Sequence, residues 1–411
     1  MTLKQGSPPI TRERTRSISI GLILLCQVLT LSVWFASTAA LPSIAILEPI
    51  SGARMAAMTS ALQVGFVVGA LLSAFLNLAD RFDPRNLFAA SAAAAAVTTA
   101  ALLVVSPVGN EALILRFVTG IALAGIYPVG MRMVSSWAIN DLGKLVGLLV
   151  GALTVGSALP HLFTIGEAWN WKLVYAVSSA AALSAACLVR FVKLGPAFTR
   201  AQKFDPRVLK AALVKRPVRL ANLGYLGHMW ELYAMWAWIG IFFRASLDAR
   251  GVDQPGLAPA ATFLVIAAGA LGALAGGRLA DRHGRTVVTI SSMAISGACA
   301  LSVGWLFGGP PLLILVVAVI WGISIIADSA QFSACVVELS PAESVGTMLT
   351  TQICMGFAVT FVTIQSMDFV VSHLGWGIGF SMLAVGPLFG CLAMWLLRRD
   401  PASHLLAGGR K

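Results

Sequence analysis

The chain alternates between long apolar runs and short clusters of charged residues. Each run has about 20 residues, the length that a helix needs to cross a bilayer. The first six lie between Arg16 and Glu48, Arg54 and Asp80, Arg85 and Glu111, positions 112 and 135, Lys144 and Glu167, and Lys172 and Arg190. After a basic stretch, six more lie between positions 220 and 243, Asp253 and Arg278, Arg285 and Gly308, Pro311 and about 339, Glu343 and Asp368, and His373 and Arg398.

This pattern predicts an all-α polytopic membrane protein with twelve transmembrane helices, because lipid leaves a spanning backbone to satisfy its own hydrogen bonds. We expect a cytoplasmic tail over 1–17, a six-helix half over 18–193, a linker over 194–217, a second six-helix half over 218–397 and a cytoplasmic tail over 398–411. In the linker, Asp205 and Pro206 are typical of a helix start, and the residues that follow predict an amphipathic helix at the inner surface.

The charge distribution supports this span count. The formal net charge of +12 would be compatible with nucleic-acid binding in a soluble protein. Here, if the N-terminus is cytoplasmic, 24 of the 29 Lys and Arg residues fall in inner loops and tails, 4 fall in outer loops, and Arg116 lies within the membrane. Such a split is the positive-inside pattern. It predicts a multi-pass protein of the inner (plasma) membrane with both termini cytoplasmic, an uncleaved first helix and no nucleic-acid partner.

Several kinds of chemistry have no support in the sequence. The six cysteines lie inside apolar runs without a CxxC pair, so we expect neither disulfides nor a metal site. The motifs HExxH, GxSxG and GxxxxGK[ST] are absent, which argues against an intramembrane hydrolase and against ATP as the energy source. We therefore expect no enzyme activity, no cofactor and no metal, and a monomer in the lipid bilayer.

A repeated loop motif identifies a family resemblance. The loop between the eighth and ninth runs reads GGRLADRHGRT from Gly276 to Thr286, and the loop between the second and third reads LNLADRFDPRN. The loop between the eighth and ninth runs resembles the signature loop of the major facilitator superfamily through Gly277, Asp281, Arg282, Gly284 and Arg285. The loop between the second and third runs keeps Asp80, Arg81 and Arg85 but has Leu76 and Asp83 where the family has glycines. The copies are offset by 201 residues, about half the chain.

The resemblance implies the facilitator fold, with two pseudo-symmetric six-helix halves that rock around a midplane site. It also implies that Asp80 and Asp281 close the cytoplasmic ends of the helices in the outward-facing state, where a carboxylate can meet a helix N-terminus or an arginine. The alternative is that these residues only set topology.

Two further matches are partial. Arg116 and Gly120 in the fourth helix resemble the buried-arginine motif of proton-linked facilitators. Arg116 either lines the cavity or extends towards the outer interface. The fifth helix, GLLVGALTVGSALP, is glycine-rich like the antiporter signature of drug exporters but lacks its Gly-Pro pair. That segment predicts close helix packing and gives weak support to efflux.

The seventh helix carries the first candidate proton site. Helical spacing places His228 and Glu231 on one face, and Tyr225 is nearby. A carboxyl group beside an imidazole near mid-membrane is a plausible proton site. The alternatives are that His228 and Glu231 only satisfy each other, or that the aromatic residues form an interfacial belt.

The tenth helix carries a second acid, Asp328, with Gln331 on its face. In the facilitator fold the cavity is lined by helices one, four, seven and ten, and the strong candidates fall on helices four, seven and ten. Weaker cavity candidates, each alone more typical of a helix–helix hydrogen bond, are Gln27, Trp34, Tyr127, His161, Gln352 and Gln365.

These observations predict a secondary active transporter that moves a small-molecule substrate by alternating access, with protons as the coupling ion. The incomplete antiporter motif favours uptake, and proton-linked efflux is the alternative. Arg116 and His228 would suit an anion, and the aromatic residues would suit an aromatic or amphipathic compound. A transporter-like sensor without flux is a further alternative.

Overall fold

The computed structural model describes residues 9–139, 141–165, 170–198, 214–341 and 344–411, with the side chains of 9–12, 79 and 80 excepted. Most of the predicted linker, including its amphipathic helix, and the side chain of Asp80 lie outside the described residues. Inner and outer denote the two faces of the molecule as the charge distribution predicts them.

The first half contains six helical crossings. Their bounds are Pro9–Leu31 with Ala36–Leu47 (span 1), Gly52–Phe75 (span 2), Pro84–Ala101 (span 3), Asn110–Leu123 with Tyr127–Ser135 (span 4), Leu142–Leu162 (span 5) and Trp171–Leu188 (span 6). A short helix, Leu78–Arg81, precedes span 3. Spans 1 and 4 are each interrupted, over 32–35 and 124–126.

The second half repeats this arrangement. Its bounds are Arg216–Ala249 (span 7), Leu257–His283 (span 8), Arg285–Val303 (span 9) and Pro311–Ala327 with Ser329–Leu339 (span 10). The continuous helix Val345–Leu383 contains a turn at Gly375, whose φ of 80° is left-handed. That turn separates span 11 from span 12, which ends with the helix Val385–Arg399. A 3₁₀ segment, Pro401–Gly409, follows.

Among the described residues, nine helical segments are long and apolar enough to cross a membrane. One of them, Val345–Arg399, contains two crossings joined at Gly375. Spans 3 and 7 complete the set of twelve. Span 3 is rich in alanine and threonine, and span 7 carries His228 and Glu231, so both have a weaker apolar signal. The predicted all-α membrane fold class is confirmed, and the described helices are consistent with twelve spans.

Loop chemistry explains where several spans begin. The Ser51 side chain accepts a hydrogen bond from the backbone N–H of Arg54 at the start of span 2. Asp83 does the same for Arg85 N–H at the start of span 3, where Pro84 takes the first helical position. These are standard N-caps. The loop that departs from the family pattern at Asp83 therefore still forms an efficient helix start.

Packing of the spans follows a two-fold pattern. Spans 2 and 4, 3 and 6, 1 and 5, and 1 and 6 pack together in the first half, and spans 8 and 10, 9 and 12, 7 and 11, and 7 and 12 do so in the second. Each pair recurs six spans later. The halves meet along two seams, spans 2 with 11 and spans 5 with 8, which are also related in this way.

Close helix crossings depend on glycine at corresponding places. A Cβ at Gly65 in span 2 would lie 1.9 Å from the carbonyl oxygen of Phe117, and one at Gly120 in span 4 would lie 1.9 Å from that of Leu62. In the second half a Cβ at Gly322 in span 10 would lie 2.0 Å from the carbonyl oxygen of Val265. At both crossings, spans 2 with 4 and spans 8 with 10, glycine allows the helix backbones to approach closely, as small residues do in membrane proteins.

Candidate functional site

Glu231 lies inside the second half and is held by two neutral donors. It is 1% exposed. The indole N–H of Trp321 in span 10 donates to its Oε1 at 2.7 Å, and the hydroxyl of Ser296 in span 9 donates to its Oε2 at 2.9 Å. Its side chain therefore points into the core formed by spans 7, 9 and 10. Both carboxyl oxygens are occupied by hydrogen bonds within one half.

His228 and Asp328 form the second polar contact of this core. The imidazole Nδ1 lies 2.9 Å from Asp328 Oδ1, and both side chains are 1% exposed. Among the described residues neither ring nitrogen has an aligned hydrogen-bond partner. The contact is therefore a close approach of the two side chains without an aligned hydrogen bond. Tyr225 and Phe332 flank the imidazole, with ring centroids 6.2 and 5.4 Å away.

Asp328 stands at the interruption of span 10. It ends the helix Pro311–Ala327 and precedes the helix Ser329–Leu339. Its own carbonyl oxygen accepts a hydrogen bond from Gln331 N–H at 2.8 Å, which closes a turn at the break. Interrupted helices near the bilayer midplane are a recurrent setting for transported ions and substrates. The acid predicted on this helix thus occupies its least regular point.

Arg116 lies in the first half, away from the two acids. Its Nη1 donates to the carbonyl oxygen of Val33 at 3.0 Å, its Nη2 to that of Trp34 at 2.6 Å and its Nε to that of Met58 at 3.4 Å. The side chain is 0% exposed. The guanidinium thus joins two carbonyl groups at the interruption of span 1 to span 2, and the Val33 carbonyl also accepts a backbone hydrogen bond from Ala36 at 3.4 Å. In this conformation it extends towards neither the interface nor an open cavity.

An aromatic cluster joins the two halves at mid-depth. Trp34, beside the interruption of span 1, lies 5.8 Å from Tyr233 of span 7 between ring centroids. Phe66 of span 2 lies 4.7 Å from Phe357 of span 11. Of these four, the sequence indicates Trp34 as a cavity candidate and Tyr233 as an aromatic neighbour of the site on span 7, and it gives no indication for Phe66 or Phe357. Aromatic residues are common in buried helices, so their sequence positions give no signal of a shared cluster.

The remaining predicted residues lie apart from the acids' contacts. Gln331 accepts a hydrogen bond from Arg285 at 2.8 Å, so it belongs to the inner end of span 10. Tyr127 packs against the main core. Gln352 donates to Asn222 at 3.1 Å, and Gln365 donates to Ser60 of the other half at 2.7 Å. These polar groups act as helix–helix hydrogen bonds.

The outer face contains a cavity of about 370 Å³ between the halves. The outer ends of spans 1, 5, 7 and 8 line it, and Thr38, His161, Gly240 and Thr262 are among its walls. His161 is 4% exposed, and within the described part of the chain its Nε2 has no hydrogen-bond partner. The cavity is thus on the outer side of the aromatic cluster.

The loop between spans 8 and 9 connects several helices at the inner face. Arg285 contacts Asp281 at 3.4 Å and Glu338 of span 10 at 2.9 Å, besides Gln331. Gly284 has a φ of 94°, which favours glycine. Gly277 and Asp281 approach the first turn of span 5 in the other half: a Cβ at Gly143 would lie 3.4 Å from Asp281 Oδ2. A carboxylate beside a helix N-terminus is favourable.

The corresponding loop between spans 2 and 3 is satisfied locally. Arg85 contacts Asp83 at 2.6 Å through Nη2, and Arg85 Nη1 donates to the carbonyl oxygen of Val192 at 3.4 Å. This hydrogen-bonded pairing lowers the pKa of Asp83. Arg81 and Arg282, the second basic positions of the two copies, are exposed. The two signature loops therefore differ in how far their contacts extend.

Comparison with solved structures shows the same fold over nearly the whole chain. The proton:xylose symporter XylE bound to 6-bromo-6-deoxy-D-glucose aligns with a TM-score of 0.72 at 15% identity, covering 93% of this chain and 96% of the other. A D-xylose-proton symporter structure gives 0.72 at 14%, covering 95% and 98%. A mutant of the nucleoside transporter NupG gives 0.70 at 13%, covering 92% and 99%.

At the sequence level, a search of curated proteins finds no match. The sequence profile described as Major Facilitator Superfamily matches residues 23–364, most of the chain. This match confirms the resemblance seen in the two signature loops, and with the structural likeness it indicates transport instead of enzyme activity. The chain belongs to the major facilitator superfamily of membrane transporters.

Proposed function

We propose that this protein is a proton-coupled secondary transporter that takes up a small solute across the inner (plasma) membrane, with both termini cytoplasmic. The observation that carries the proposal is the buried His228–Asp328 contact at the interruption of span 10. Ionisable groups inside a membrane protein are typical of proton pathways. Here one lies where span 10 is interrupted.

The proposed cycle uses the halves as moving bodies around a central site. A proton that neutralises Asp328 would remove its attraction for His228 and allow spans 7 and 10 to shift relative to each other. Glu231, held by Trp321 and Ser296, is proposed as a second proton-responsive group of the same core. Two structural neighbours are described as proton symporters, which agrees with this coupling.

Closure of the inner face is proposed to depend on Asp281 and Arg285. Their contacts join the loop between spans 8 and 9 to span 10 and to the start of span 5. Opening towards the cytoplasm would separate Asp281 from span 5. Asp80 and Arg85 are proposed to have a smaller part, because the contacts of Arg85 stay within its own half.

The experiment is a coupled-flux assay. Thermal-shift screening of purified protein against a metabolite library identifies a solute, and proteoliposomes with a trapped pH dye then report proton movement during its uptake. We expect Asp328→Asn and Glu231→Gln to lose solute-driven proton movement while retaining solute exchange. Asp253→Asn, in an exposed outer loop, is the matched control and should behave as wild type.

The possible results separate the hypotheses. Proton-coupled accumulation that survives in both Asp328→Asn and Glu231→Gln would show the assignment to be wrong. Accumulation only when the proton gradient is reversed would indicate efflux by proton exchange. Binding without flux in wild-type vesicles would indicate a sensor.

A further inference from the structure

The outer cavity combines a defined volume with a single unpartnered polar group. Its volume of about 370 Å³ is at the lower end of the range for small-molecule sites, about 300–1,000 Å³. The His161 imidazole forms part of its wall in the last turn of span 5, with Nε2 unpartnered among the described residues. A buried polar atom of this kind is normally satisfied, so Nε2 would gain a hydrogen bond if the imidazole turned towards a ligand in the cavity.

Gly240 of span 7 lies close to this imidazole. A Cβ at Gly240 would lie 3.1 Å from Oγ1 of Thr262 and 3.9 Å from Cε1 of His161. A larger side chain at this position would therefore press on Thr262 and extend between spans 5 and 8, where the cavity lies. The lack of a side chain lets span 7 pack closely beside the polar group.

The other polar groups in the wall are already engaged. The hydroxyls of Ser43, Thr164 and Thr262 donate to backbone carbonyl groups at 2.8, 2.9 and 2.8 Å. The hydroxyl of Thr38 is hydrogen-bonded to that of Thr59 at 3.0 Å. The donor hydrogens of Ser43, Thr164 and Thr262 are therefore used within the protein, whereas His161 keeps an unpaired ring nitrogen among the described residues.

Charge in the cavity is balanced, and most of its wall is apolar. Arg244 and Asp248 face each other at 3.1 Å, four residues apart on span 7, and both are partly exposed. The rest of the wall is largely aliphatic, as shown by Ala39, Pro42, Ile46, Met55, Ile241 and Pro259. A charged ligand would find no unbalanced counter-charge in this wall. A polyhydroxylated ligand would leave most of its hydroxyls without partners, which is unfavourable.

We infer that the outer cavity is a binding site for a compact, uncharged and mainly apolar organic molecule that directs one hydrogen-bonding group at His161. As the outward-facing recognition site it would give the substrate class of the proposed transporter, and to that extent it rests on the proposed function. It also separates this protein's substrate chemistry from the xylose and nucleoside named for its structural neighbours.

The test is photolabelling with 4-hydroxybenzophenone, a compact aromatic ketone with one phenol group, on full-length protein in nanodiscs at a pH where the phenol is neutral. Met55 lines the cavity and is a reactive target for a benzophenone. We expect mass spectrometry to locate the adduct at Met55 or on residues 237–245. An excess of D-xylose or uridine should leave the labelling unchanged.

Three variants make the assignment specific. Gly240→Leu should reduce labelling at least tenfold by extending a side chain into the cavity, and His161→Leu should reduce it severalfold, while His161→Gln should restore part of it. Gly21→Leu is the matched control, because a Cβ there meets nothing within 4 Å. Each variant is used only if its unfolding temperature and monodispersity equal those of wild type.

The inference would be overturned by wild-type labelling in Gly240→Leu, by adducts spread over lipid-facing residues, or by competition from D-xylose or uridine. The measurement needs no gradient and no flux, so it is independent of proton coupling. Asp328→Asn should label normally. Labelling in the cavity together with unchanged coupling in Asp328→Asn would refute the proposed proton site and leave the binding site standing.

Discussion

Replacing Glu231 distinguishes a structural role from a proton-coupling role at the same position. In Glu231→Gln the amide oxygen can still accept the indole N–H of Trp321, and the amide N–H₂ can donate to Ser296 Oγ. That exchange requires the Ser296 hydroxyl to turn away. The structure provides for this, because the hydroxyl is also 3.2 Å from the carbonyl oxygen of Met293. We therefore expect glutamine to keep both contacts.

Leucine at the same position gives a different result. It removes both acceptors, and Ser296 can again donate to Met293, but the Trp321 indole can only donate and would be left without its partner. An unsatisfied buried donor costs about 1–3 kcal/mol. The predicted order of stability is wild type close to Glu231→Gln, with Glu231→Leu lower by about that amount.

The assay is unfolding of purified protein in nanodiscs, followed by hydrogen exchange and by temperature, with Trp321→Phe as the partner in a double-mutant cycle. Because phenylalanine has no N–H group, Glu231→Leu should be less destabilising in the Trp321→Phe background than in wild type. Equal destabilisation by Glu231→Gln and Glu231→Leu would refute the reasoning, since it would mean that the ionised carboxylate itself maintains the fold. If Glu231→Gln is as stable as wild type, as expected, a loss of proton coupling in this variant is an effect on function and not on folding.

Three other changes test contacts at defined places. Arg116→Lys keeps the positive charge but lacks the planar guanidinium group that reaches two carbonyl groups at once. One carbonyl group is then left unpaired, which should lower the free energy of unfolding by about 1–3 kcal/mol. The measurement is hydrogen exchange, which should become faster over 32–36. The Asp141 carboxylate pairs with Arg16 at 2.5 Å, and this hydrogen bond lowers its pKa. The pair therefore stabilises the fold at pH values above the usual pKa of Asp, and this stabilisation is lost as the pH falls through the lowered pKa. Asp141→Asn should lower the free energy of unfolding by about 0.2–1 kcal/mol at neutral pH and leave it unchanged in strong acid. The measurement is unfolding as a function of pH. Arg285→Gln should speed hydrogen exchange at the inner ends of spans 8–10, whereas Arg85→Gln should affect only its own loop and the segment around Val192, both in the first half.

The fold could be predicted from the sequence because its main signals are local. Run length, loop charge and the repeated loop motif each depend on residues close together in the chain. The interruptions of spans 1 and 4 were not predicted. Residues 32–35 contain no proline, whereas in span 4 Pro128, which cannot donate a hydrogen bond to the carbonyl of residue 124, is a signal that could have located the break. In span 1 the broken conformation is stabilised from a distance, by Arg116 of span 4. A contact of that kind has no signature in the residues that bend.

The candidate site could be predicted in part. Helical spacing correctly places His228 and Glu231 on the side of span 7 that faces the core of the second half. Their partners could not be predicted, because His228 meets Asp328 while Glu231 meets Trp321 and Ser296. A serine in an apolar helix looks the same whether it binds a carboxylate or its own backbone. Which of these applies depends on how spans 7 and 9 are packed.

The division of polar groups between the halves bears on how coupling would work. The His228–Asp328 contact and Glu231 both lie within spans 7, 9 and 10, whereas Arg116 is bound to backbone groups of spans 1 and 2. Protonation would then act first within one half, by changing how spans 7 and 10 pack. Span 7 also carries Tyr233 of the aromatic cluster that joins the halves, and its outer end lines the outer cavity. Because one continuous helix, Arg216–Ala249, bears all three features, we expect it to be the element through which proton binding, the central closure and the outer site influence one another.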